Sequence, residues 1–139
     1  MTHCLQNMIL LFSIALLCFA VPASAGETLA NSVSAYHFND ATGSVSDIRF
    51  LPSGKRVVTA VCNSYLLMAH GEKDVTAFEA QDRVIEKKKN GGSICYRCVN
   101  PLLPGLVISK RYWLENNGLR RELTFQNQDS RKRYLIPFT

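Results

Sequence analysis

No Asp, Glu, Lys or Arg stands anywhere before Gly26, and the first charged side chain of the chain is Glu27. The n-region therefore offers only His3 and the α-amino group as positive charge, which departs from the usual export signal. From Met8 to Val21 the run is uncharged, long enough for a signal h-region and too short to span a bilayer with comfort. Pro22-Ala23-Ser24-Ala25 follows. Small side chains at Ala23 and Ala25 suit a signal peptidase, and Pro22 ends the helical run so that the bond after Ala25 is presented extended. Residues 1–25 are thus expected to be a cleavable signal, with Gly26 as the mature N-terminus. A secreted or periplasmic location and no stable membrane span after cleavage follow from this. Cys18 does not make a lipoprotein site, because bulky Leu17 precedes it where a small residue is wanted.

Catalytic signatures are also missing. There is no Gly-x-Ser-x-Gly elbow, and His37 and His70 lie in ordinary strand-like settings. Cys95-Tyr96-Arg97-Cys98 is a single CxxC. No second CxxC or His pair accompanies it at zinc spacing, and Val99 stands where haem attachment requires His. The following Val99-Asn100-Pro101 cannot start a helix whose dipole would activate a redox thiol. The cysteines after Gly26 are Cys62, Cys95 and Cys98. Their expected role is structural, either a disulfide from Cys62 to one of the other two or buried thiols. Among eleven carboxylates no pair is marked as a glycosidase acid and base. No catalytic, cofactor-binding or metal-binding residue is identified, and no cofactor is expected.

The chain does hold a strong β pattern. Short runs rich in β-branched and aromatic residues alternate with Gly, Pro, Asn and Asp breaks from Ala35 almost to the end. Glu27 to Ser34 is polar and poorly patterned. Strands are expected over Ala35–Phe38, Val45–Leu51, one long or two short ones within Lys55–Met68, two within Val75–Lys89, and Ser93–Val99. A final hairpin turns at Asn116-Asn117-Gly118 and leads on to Arg131–Phe138. In that hairpin Leu106, Ile108, Tyr112 and Leu114 share a face interrupted by Lys110, and Leu119, Leu123 and Phe125 share one with Arg121. The net charge of +5 is carried by short clusters that strand geometry splits between faces. These read as solvated faces and edge protection, with an anionic partner such as an acidic polysaccharide, a nucleic acid or a membrane surface as the functional alternative. The fold class is all-β: an antiparallel β-sandwich over residues 26–139, preceded by the signal. Because the chain stops in the apolar Ile136-Pro137-Phe138-Thr139, the sandwich is expected to be incomplete and to belong to a longer protein.

Asn100-Pro101-Leu102-Leu103-Pro104-Gly105-Leu106-Val107-Ile108-Ser109-Lys110-Arg111-Tyr112-Trp113-Leu114 and Asn117-Gly118-Leu119-Arg120-Arg121-Glu122-Leu123-Thr124-Phe125-Gln126-Asn127 resemble the galactose-mutarotase-like β-sandwich at the N-terminal end of many secreted glycoside hydrolases and polysaccharide lyases. The resemblance implies a supersandwich-like domain that supports a catalytic domain, and it carries no catalytic residue onto this chain. It makes carbohydrate the expected partner and nucleic acid not. Trp113, Tyr96 and Tyr112 are candidates for stacking on sugar, set against the commoner placement of strand aromatics in a core. The rival readings are a stand-alone carbohydrate- or polyanion-binding module and a structural or adhesive sandwich.

Overall fold

In the computed structural model, residues 26–58, 65–70, 75–116, 118–131 and 133–135 are described. The expected signal, residues 1–25, lies outside them, as do Cys62 and the last four residues. Among the described residues, alternating side chains and turn residues produce eleven strands: β1 (Thr28–Ala30), β2 (Ser34–Asn39), β3 (Ser44–Phe50), β4 (Lys55–Val58), β5 (Leu66–His70), β6 (Val75–Phe78), β7 (Arg83–Asn90), β8 (Ser93–Val99), β9 (Leu106–Glu115), β10 (Gly118–Asn127) and β11 (Arg133–Leu135). A single 3₁₀ turn, Glu79–Gln81, separates β6 from β7.

The strands pair antiparallel into two four-stranded sheets, ordered β1-β2-β3-β4 and β10-β9-β8-β7, and a smaller sheet ordered β11-β5-β6. The fold is therefore all-β and sandwich-like, as the turn spacing predicts. β1 is a strand that the sequence does not announce. It has three residues on a sheet edge and buries one apolar side chain, Leu29, so the pattern is too short to register.

Period-two alternation sets which side chains meet between the large sheets. Phe38 from β2 packs on Tyr112 and Tyr96, with ring centroids 4.7 and 6.1 Å away, and Ile94, Cys98, Leu106 and Ile108 extend the same buried layer. The β2–β3 turn enters this layer at Gly43. Its φ of +65° favours glycine, and a Cβ there would stand 2.8 Å from Cβ and Cγ of Tyr96. Asn39 shapes the turn: its side chain accepts from the Ala41 N–H at 2.8 Å, and its carbonyl accepts from the Gly43 N–H at 2.7 Å.

Candidate functional site

The register of β9 forces a charged side chain into the core. Leu106, Ile108, Lys110 and Tyr112 alternate onto the inner face, so Lys110 is carried inward with its apolar neighbours and is fully buried. A buried ammonium needs partners, since leaving water costs several kcal/mol per ion. It finds them in four directions. Nζ lies 3.1 Å from Glu79 Oε1 and 2.9 Å from Asp82 Oδ2, and donates to the Thr42 carbonyl at 2.8 Å and Ser44 Oγ at 3.3 Å.

The two carboxylates are held in turn. Asn100 donates to Asp82 Oδ1 at 2.9 Å and to the Phe78 carbonyl at 3.2 Å, and the Tyr65 hydroxyl donates to Asp82 Oδ2. Ser44 donates to Glu79 at 3.1 Å, and the Arg121 guanidinium reaches both Glu79 oxygens at 3.4 Å. Burial, with Asp82 next to it, holds the Tyr65 hydroxyl far above its ordinary pKa. Pro101 and Pro104 keep the β8–β9 connection out of the sheet, which leaves Asn100 free to serve as a linker between Asp82 and the Phe78 backbone. Two carboxylates near one another raise the question of glycoside chemistry. Here both are buried and both are engaged by one lysine, whereas a glycosidase pair must face a sugar. What this arrangement does is join the β2–β3 turn, the 3₁₀ turn, the Asn100 loop, β9 and β10.

Two concave features lie near the surface. A depression of about 390 Å³ has Asp82 in its wall, with Gln81, Arg83 and Leu102 around it. A larger one, of about 630 Å³, adjoins β1 and β2 and is lined in part by Thr28, His37, Asp40 and Ser46. Thr28 Oγ1 and His37 Nδ1 are 2.9 Å apart, and Asp47 is the cross-strand neighbour of His37. This does not make a Thr-His-Asp relay. The Asp47 oxygens accept from Arg49 at 3.0 Å and Arg56 at 2.9 Å, and Thr28 occupies the ring nitrogen that an orienting carboxylate would need.

The CxxC lies on β8, where residues three apart point to opposite faces. Cys98 is buried, its thiol directed at the Thr42 carbonyl 3.7 Å away, and burial pushes its pKa up to about 12. Cys95 is half-buried on the outer face, opposite Arg111. Their sulfurs cannot converge on one ion, and among the described residues no three His, Cys, Asp or Glu do. Cys62, the third disulfide candidate, lies outside the described residues. Gly26 is described: a Cβ there would fall 1.7 Å from the Phe38 carbonyl oxygen, so only glycine fits this passage beside β2.

The aromatic candidates separate. Contrary to the expectation from sequence, Tyr96 does not serve for stacking on sugar: its ring is buried against Phe38 and Tyr112, and its hydroxyl donates to Asp40 at 3.0 Å, so it offers no face to a ligand. Tyr112 is also buried and donates to the Gly43 carbonyl at 2.9 Å. Trp113 points the other way. It lies partly exposed on the outer face of the β10-β9-β8-β7 sheet, with Ser93 and Arg120 as its cross-strand neighbours. The Arg111 guanidinium carbon stands 5.4 Å from its ring centroid, within cation–π range.

Among the described residues no helix is long and apolar enough to cross a membrane. Comparison with protein-family models, with curated proteins and with solved structures finds no match to this chain.

Proposed function

We propose that this chain is a carbohydrate-recognising β-sandwich of a secreted carbohydrate-active protein, with any hydrolytic groups outside residues 26–139. The observation that carries the reading is Trp113, a partly exposed indole on the outer face of a four-stranded sheet, beside an arginine and a serine. An indole face covers the apolar C–H face of a pyranose, while neighbouring guanidinium and hydroxyl groups can hydrogen-bond its oxygens. The buried state of Glu79 and Asp82, and the arginine partners of Asp47, Glu115 and Glu122, favour a binding role for this domain over acid–base chemistry on it. Export, expected from residues 1–25, would put the domain where extracellular glycans are.

Trp113 is the single tryptophan of the chain, so its fluorescence reports on the proposed site alone. Titration of the purified protein with a panel of neutral and acidic oligosaccharides should give a saturable quench or blue shift with at least one of them. Trp113→Ala should abolish binding, measured by calorimetry, while leaving the melting temperature nearly unchanged. If no glycan of either kind perturbs the indole, the reading is wrong.

A further inference from the structure

We infer that the outer face of the β10-β9-β8-β7 sheet is a binding track for an acidic polysaccharide, its carboxylates or sulfates taken by a diagonal of three arginines. This deepens the carbohydrate reading and rests on it.

The diagonal comes from register. Arg120 on β10 is paired with Trp113 on β9, and Arg111 is two residues from Trp113 on that strand. Arg111 is paired with Cys95 on β8, and Arg97 is two residues from Cys95. Paired residues and residues two apart share a face, so Arg120, Arg111 and Arg97 lie on one side of the sheet. Each step moves one strand over and two residues along, which places successive Cα atoms roughly 8 Å apart. Lys88 on β7, paired with Cys95 on β8, extends the same face at the far edge. The basic pairs Lys110-Arg111 and Arg120-Arg121 are divided between faces as strand geometry requires. Their inner halves enter the buried network, and their outer halves line up with Arg97 beside Trp113.

These arginines are available to a ligand. Their side chains are 44 to 59% exposed, and each has a neighbouring carboxylate: Glu86 at 3.9 Å from Arg97, Glu122 at 3.8 Å from Arg111, and Glu115 at 2.9 Å from Arg120. Exposed ion pairs of this kind contribute little, and a guanidinium keeps further N–H donors in reserve for a bidentate acid group. An aromatic ring alone would suit any sugar. An aromatic ring flanked by a regular row of guanidinium groups selects a chain that repeats both a pyranose face and an acid group, and the chain's net charge of +5 favours the encounter.

The test compares polygalacturonate with its methyl ester, which keeps the sugar backbone and removes the charge, on the purified full chain by calorimetry and Trp113 fluorescence. The acid should bind at least about tenfold more tightly, with affinity falling as salt is raised. Arg97→Ala, Arg111→Ala and Arg120→Ala should each weaken binding to the acid severalfold and flatten its salt dependence, whereas Lys55→Ala, on the other large sheet, should do neither. Arg111→Lys should recover only part of the loss, because an ammonium cannot reproduce the bidentate fork. Equal, salt-independent binding of acid and ester would overturn the track and leave the carbohydrate reading standing. Silence of both probes would overturn the track, and silence across the wider neutral and acidic panel the carbohydrate reading as well. Tighter binding to a single-stranded oligonucleotide than to polygalacturonate would overturn the assignment to a polysaccharide.

Discussion

Lys110 carries a charge into the interior. Its ammonium has no access to water and is neutralised by Glu79 and Asp82, which are themselves tied to Ser44, Arg121, Asn100 and Tyr65. Removing one member of such a set is far worse than removing all of it, because the survivors are left charged, buried and unmatched. Lys110→Met should therefore destabilise the fold by about 3–5 kcal/mol, and the triple variant Lys110→Met, Glu79→Gln, Asp82→Asn by much less. Urea unfolding followed by far-UV circular dichroism would measure both. A triple variant as unstable as the single one would show that the lysine acts through something other than charge balance. The hint of this network was present in the sequence as a lysine and an arginine interrupting two apolar strand faces. Its carboxylates were not legible there, because Glu79 opens a 3₁₀ turn and Asp82 follows its end, and the position of that turn over β9 depends on long-range packing.

At the scale of elements, turns fix how the sheets approach one another. Gly43 and Gly91 both have positive φ, +65° and +55°, but a Cβ at Gly91 would meet open space, whereas one at Gly43 would press on Tyr96 and on Cys98 Sγ. Gly91→Ala should thus cost about 1–2 kcal/mol for the left-handed backbone alone. Gly43→Ala should cost roughly 1–3 kcal/mol more, the usual penalty of overpacking. Equal losses in denaturant melts would mean that the β2–β3 turn is not seated on the aromatic layer as described. The elements themselves were largely readable, since β8 alternates cleanly, the β9–β10 hairpin alternates except at Lys110 and Arg121 and carries Asn-Gly turn chemistry, and β6 and β7 are the two strands expected between Val75 and Lys89. β1 is not legible in the sequence because an edge strand of three residues has no period to detect. Nor is the arginine diagonal: Arg97, Arg111 and Arg120 are scattered in sequence, and only the pairing of β8, β9 and β10 lines them up.

At the scale of the whole molecule, the two large sheets are joined along one side by charge as well as by apolar packing. Lys87, on the edge strand β7, reaches Asp40 at 2.7 Å and Glu27 at 3.2 Å, and Lys89 reaches Glu27 at 2.8 Å, so β7 is fastened to the β2–β3 turn and to the residue before β1. Hydrogen bonds from Lys89 and then Lys87 hold the Glu27 carboxyl below its ordinary pKa. At Asp40, burial opposes ionisation, but the bonds from Lys87 and Tyr96 outweigh it and the pKa is again lowered. On the Lys87 side, the bond to Asp40 and then that to Glu27 raise the ammonium pKa. The signs give the pH window. A carboxylate whose folded pKa is depressed adds stability that is complete above its unfolded pKa, roughly 4, and is lost as pH falls through the folded value. A lysine whose folded pKa is raised adds stability that is complete below its unfolded pKa, roughly 10.4, and is lost as pH rises through the folded value. Lys87→Met should therefore lower the melting temperature modestly across the neutral range, where both charges are present, and converge with the wild type in strong acid and in strong alkali. The difference should shrink with added salt, because the partners are partly exposed. Melting temperatures of the two proteins from about pH 2 to about pH 12 would check this, and parallel curves that never converge at the acid end would mean that Lys87 supports the sandwich through something other than its pairing with Glu27 and Asp40.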